Sequence, residues 1–167
     1  LVGMLQPGAD PVRKVSIIPR GRALGVTLQT PAADRYGYPS KELQGRLAGL
    51  LAGRAAEQLV YDDVTTGAES DLEQATNLAR HMVGRWGMSK ALGPMSVVPA
   101  PGNEGFLFPG VDGASEHTRQ QVDDEVHRLL DACGEQAATV LREHRLQLDA
   151  VVEALLSHET LDEADAY

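Results

Sequence analysis

Apolar residues fall into two rhythms along this chain. Near the front, "VRKVSIIP" and "ALGVTLQ" are β-branched, partly alternating runs separated by "RGR", which predicts two strands in a hairpin or small sheet. Pro19 and Pro31 end them, because proline has no N–H to give a strand ladder. From Ser40 the rhythm changes. Leu43, Leu47, Leu50, Leu51, Ala55 and Leu59 recur at helical spacing, predicting an amphipathic helix over residues 41 to 60 with Ser40 as its N-cap. Residues 1 to 6 read as the last turns of another helix, stopped by Pro7-Gly8.

Gly45, Gly49 and Gly53 interrupt the leucine helix at four-residue intervals, each at a cost of up to ~1 kcal/mol in helix propensity. Such a row of small residues predicts close backbone approach by another element. In "TTGAESDLEQATNLARHMV", Ser70 and Glu73 fit a capping box, so the next helix should begin at Asp71. Leu72, Ala75, Ala79, Met82, Val83 and Trp86 would then form its buried stripe.

Residues 99 to 114, rich in proline and glycine, read as a mobile loop. Ser115 opens a long helical pattern through Val122, Val126, Leu129, Leu130, Cys133, Ala137, Val140 and Leu141. After a break near His144 and Arg145, Leu148, Val151, Val152, Leu155 and Leu156 continue as a second helix. The two are expected to pack as an antiparallel hairpin, with a final helix after Thr160. The predicted fold is mainly α, with a small β element near the N-terminus. Residues 1–98 form its front half and residues 115–167 its C-terminal hairpin, in one domain.

Composition changes this picture only by exclusion. At 167 residues, 43% of them hydrophobic, the chain can build a core without disulfides. Its one cysteine, Cys133, lies in an apolar stripe and reads as a small buried hydrophobe. A formal charge of −9 with dispersed basic residues would repel a phosphate backbone, so nucleic acid is not an expected partner. No apolar run reaches the roughly 20 residues of a membrane span, and a soluble piece is expected. Because the chain begins at Leu1 inside an apolar helical phrase, it also reads as a fragment of something longer.

Candidate chemistry centres on carboxylates. An acid in the first helical turn, as at Asp71, is favoured by the helix dipole alone. Two features argue for more: Ser70 already fills the cap, and the preceding "TTGA" can bring the helix start close to another surface. Glu57 falls near the C-terminal end of the leucine helix, where the dipole disfavours an anion, so it needs a partner. These two acids could form an acid/base pair or part of a metal site, and spacing does not choose between them. His81, His117 and His127 assemble no local zinc motif, and "HETLD" at 158 to 162 reads as a charged tail.

Taken together, "KVSIIPRG", "ALGVTLQ", "LAGLLAGRAAEQLVY", "TTGAESDLEQATNLARHMVGRWGMS" and the nearby "LGP" closely resemble the proteolytic domain of the FtsH family of membrane-anchored, ATP-dependent zinc metalloproteases. "VDDEVHRLLDAC" and "LREHRLQLDAVVEALLSHETL" resemble that family's helical hairpin, so the likeness spans nearly the whole chain. The resemblance implies that Asp71 is the third zinc ligand, beside two histidines of an H-E-x-x-H helix whose glutamate is the general base. It implies that Glu57, in "AAE", orients a ligand histidine through its free ring N–H. It also implies that Ala23, Leu24, Gly25, Val26, Thr27 and Leu28 belong to an edge strand to which an extended polypeptide substrate adds. The implied chemistry is metal-assisted hydrolysis. ATP and Mg2+ on a separate ATPase module, a hexameric ring and N-terminal membrane anchors complete the expected parent, with the peptidase domain on the cytoplasmic side.

The departure from the family pattern is that "HEAGHA" would end just before Leu1, so no catalytic residue is expected within this sequence. One carboxylate cannot hold zinc, since a catalytic site needs three protein ligands. The expectation is therefore that this chain by itself neither retains zinc nor cleaves protein. A non-catalytic helical oligomerisation module derived from such a protease is the competing reading.

Overall fold

The leucine stripe decides the core. In the computed structural model, which describes residues 1–6, 11–19, 25–30, 37–98 and 114–166, α1 spans Val2–Leu5 and α2 spans Ser40–Tyr61. α3 spans Glu69–Gly84 and α4 spans Glu116–Glu143. Leu43, Leu47, Ala48 and Leu51 of α2 meet Ala75, Ala79, Met82 and Val83 of α3 and Val122, Val126, Cys133, Ala137 and Leu141 of α4 in one apolar cluster. Each large side chain so buried contributes roughly 1.5–3 kcal/mol, which makes this three-helix contact the main source of stability. At its edge, Leu72 and Trp86 of the expected α3 stripe stay exposed at 37% and 46%.

Helix ends depart from the predicted caps in instructive ways. Ser40 is the first residue of α2 rather than its cap, a place taken by Pro39. The fixed φ of proline suits the turn before a helix. α2 stops at Asp62, whose left-handed φ of 54° lets its N–H bond the Gln58 carbonyl while Gln58 Nε2 donates to Asp62 Oδ1 at 3.0 Å. Ser70 is also no cap, because α3 begins two residues earlier than Asp71, at Glu69, after a 3₁₀ turn over Thr66–Ala68. Ser115, by contrast, caps α4 as expected, accepting the Thr118 N–H at 3.2 Å.

Of the glycine row, Gly45 alone is tightly packed. A Cβ there would stand 3.1 Å from Gln6 Cβ, whereas at Gly49 and Gly53 it would meet nothing within 4 Å among the described residues.

Two strands form where alternation predicts them, β1 at Val12–Ser16 and β2 at Val26–Gln29, paired antiparallel with a bulge at Arg13. β3, Thr160–Asp162, joins β1 on its other side, giving the order β2-β1-β3. The pattern misses β3, whereas the helix it predicts after Thr160 is present as a single turn beyond that strand. Leu161 is 2% exposed on this strand, and Ser16 Oγ lies 2.8 Å from Thr160 Oγ1. The short α6, Glu163–Ala166, follows it, with Asp162 Oδ1 accepting the Ala164 N–H.

This third strand also explains the C-terminal pair. α5, Arg145–His158, follows α4 as expected but has no buried residue and meets α4 only sparsely. The two are not a packed hairpin, because pairing of β3 with β1 holds the end of α5 at the sheet. Residues 99–113 of the expected mobile loop lie outside the described residues. No described helix is long and apolar enough to cross a membrane.

Candidate functional site

A cavity of about 810 Å3 opens between the sheet and the helices. Its walls are Leu1–Gly3, β2, the first turns of α2 and the start of α3, where Asp71 and Gln74 face it together. The half-buried Asp71 carboxylate has no hydrogen-bond or ion-pair partner among the described residues. As the third residue of α3, it sits in the first helical turn, where free N–H groups and the dipole favour an anion.

β2 is an edge strand on this cavity. It bonds β1 on one side and no strand on the other among the described residues. All four of its residues are exposed. Val26, Thr27 and Gln29 line the cavity with Gly25, while Leu28 lies off it at 51% exposure. Gly25 precedes the strand, and a Cβ there would come within 2.7 Å of the Ser16 carbonyl oxygen, so only glycine lets β2 start this close to β1. Ala23 and Leu24 of the predicted strand lie outside the described residues.

Glu57 lies off the cavity lining and serves the loop that leads to Asp71. Its Oε2 accepts the Thr65 N–H at 3.1 Å and its Oε1 accepts the Thr65 hydroxyl at 2.8 Å. The Thr65 backbone bond first, and its hydroxyl second, hold the Glu57 carboxyl below the usual carboxylate range. Thr65 Oγ1 in turn accepts the Gly67 N–H at 3.2 Å, capping the 3₁₀ turn. The partner that Glu57 required near a helix C-terminus is thus Thr65. The capping-box reading hid this residue by assigning the cap to Ser70.

Other cavity residues escaped the sequence reading. Glu42 and Arg46 lie four residues apart on one face of α2, and Gln74 lies three beyond Asp71 on α3. Helical spacing from Asp71 could have found Gln74. The α2 face is polar and small, and attention to the apolar stripe passes it by.

His81 packs its ring against Trp86, with centroids 5.5 Å apart, and is half-buried away from the cavity. Cys133 is buried, and desolvation pushes its thiol up to about 11, which makes it inert. Among the described residues no three His, Cys, Asp or Glu side chains gather to hold a metal ion. Asp71 therefore fits zinc as a single oxygen donor, and the described residues do not supply the rest of a site.

Comparison with known proteins gives this arrangement its context. The model of peptidase family M41 matches residues 1–167. The chain is 58% identical over its full length to the ATP-dependent zinc metalloprotease FtsH 3 of Conexibacter woesei, of which it covers 22%. It is 50% identical over 98% of its length to an ATP-dependent zinc metalloprotease FtsH of Thermobaculum terrenum, covering 26% of that protein. With the FtsH of Syntrophus aciditrophicus the figures are 46% identity, 99% of this chain and 23% of that one. The chain thus spans about a quarter of the length of the curated relatives it matches. A carboxylate without a partner and a sheet edge without a further strand, both among the described residues, in a sequence matched from end to end, lead to one conclusion: this chain belongs to peptidase family M41.

Proposed function

We propose that this chain is the peptidase domain of a membrane-anchored, ATP-dependent zinc metalloendopeptidase that degrades unfolded or membrane proteins. The observation that carries the reading is the shared cavity: the Asp71 carboxylate and the open edge of β2 face the same space. An extended polypeptide adds to β2 through backbone hydrogen bonds, in antiparallel or parallel register, and lies across the mouth of the cavity. Backbone pairing reads little side-chain identity, so broad specificity follows.

Asp71 supplies one of the three protein ligands a catalytic zinc needs, and the other donors and the general base come from outside these 167 residues. α3, anchored in the core at Ala75 and Ala79, holds that oxygen in place, as a metal ligand requires. Glu57 steadies the loop in front of it through Thr65, and with the lone pairs left on those oxygens it orients a ligand histidine. Taken alone, the chain retains no zinc and hydrolyses no peptide bond.

In the full-length protein, a separate module uses ATP and Mg2+ to unfold and thread substrate, and a hexameric ring of these domains faces the cytoplasm. The test is Asp71→Asn in that full-length protein. Bound zinc and hydrolysis of an unfolded polypeptide should both fall at least about tenfold while ATP hydrolysis persists. Unchanged zinc and proteolysis would reduce Asp71 to a favourable charge at a helix start.

A further inference from the structure

We propose that Thr65 is a positioning residue for Asp71, setting through its hydroxyl where the 3₁₀ turn closes and where α3 begins. The inference rests on the reading of Asp71 as a metal ligand. Thr65 stands at the centre of a short relay. Its N–H and hydroxyl both donate to the Glu57 carboxylate, at 3.1 and 2.8 Å, while its oxygen accepts from Gly67 N–H at 3.2 Å. Glu69 N–H then bonds the Thr66 carbonyl, and two residues later Asp71 faces the cavity.

Every residue between the relay and Asp71 follows from that turn. α3 has no side-chain cap of its own, its N-cap position being Ala68, so the relay through Thr65 is what closes the front of the helix. The relay is also exposed, whereas α3 is anchored at Ala75, Ala79 and Met82 in the core. Loss of the hydroxyl should therefore leave the helix in place and loosen only its first turn. A metal site tolerates about 0.5 Å of misplacement, so loosening at that scale is enough to weaken a ligand.

The experiment uses the full-length protein with Thr65→Val, which keeps the β-branched shape and loses the hydroxyl, alongside Thr65→Ser and Asp71→Asn. Zinc affinity is read by competition with a chelator, and amide exchange over residues 64–72 is read in the metal-free protein. Thr65→Val should weaken zinc about tenfold and speed exchange in that segment, with kcat falling, KM steady and the melting temperature unchanged. Thr65→Ser should restore both readouts. If Thr65→Val holds zinc normally while Asp71→Asn loses it, the positioning role is wrong and the ligand reading stands. If Asp71→Asn also holds zinc normally, the ligand reading falls and takes this inference with it.

Discussion

Asp71 and Glu57 are both carboxylates near helix ends, and their surroundings give them opposite duties. Asp71 has no hydrogen-bond or ion-pair partner among the described residues and lines a cavity, while Glu57 bonds Thr65 through both oxygens. Glu125 resembles Glu57. The Arg128 guanidinium first, and the Ser89 hydroxyl second, hold its carboxyl below the usual range, and its side chain is 14% exposed. Ser89 is itself 6% exposed and accepts from Ala91 and Leu92 N–H, so this bond ties the turn after α3 to α4. A carboxyl lowered on folding adds stability that is fully present above its unfolded pKa of about 4.3 and lost as pH falls through the folded value. Glu125→Gln should therefore be less stable than the unaltered protein at pH 7, and the gap should close as pH falls below about 4. Melting temperatures followed from pH 7 to pH 3 read this gap, and at neutral pH the rate of thiol labelling at Cys133, which is buried against α2 and α3, reports the opening of this core. A gap that stays constant down to pH 3 would mean that the Glu125 charge contributes nothing.

Among the elements, those with long periodic patterns were legible and the short ones were not. α2, α3 and α4 lie within two residues of their predicted bounds because three or more turns of stripe average out local exceptions. β3 has three residues inside a charged tail, too few for any period, and becomes a strand only because β1 offers an open edge. The capping-box reading of Ser70 failed for a related reason. A threonine five residues earlier, tied to an acid on another helix, closes the turn first, and a local motif cannot register such a partner. The glycine row separates what pattern can and cannot say: three equal spacings, but one close approach. Gly53→Ala should stabilise α2 by about 0.5–1 kcal/mol through helix propensity, since nothing lies within 4 Å of the new methyl group among the described residues. Gly45→Ala should give no such gain, because its methyl group pushes on Gln6, whose Oε1 accepts from Gln136 Nε2 at 2.8 Å. Slower Cys133 labelling for Gly53→Ala alone supports this; equal slowing in both would contradict it.

At the scale of the molecule, the sheet and the three-helix core have separate tasks. The core fixes α2 and α3 so that their polar faces form two walls of a cavity, and the sheet supplies a third wall whose outer strand is open. The sequence made the carboxylate at Asp71 and the strand at Val26–Gln29 visible, but not that they face one space. That fact depends on how helices and sheet dock, which no local spacing encodes. The loop tie through Thr65 was hidden for the same reason, and membership of peptidase family M41 gives the arrangement its chemical sense. The most direct test of the account is anomalous diffraction at the zinc edge from crystals of the full-length protein. A zinc peak about 2.0–2.2 Å from an Asp71 carboxylate oxygen, in the cavity bordered by β2, is the predicted result. A peak coordinated elsewhere, with Asp71 turned to solvent, would contradict it.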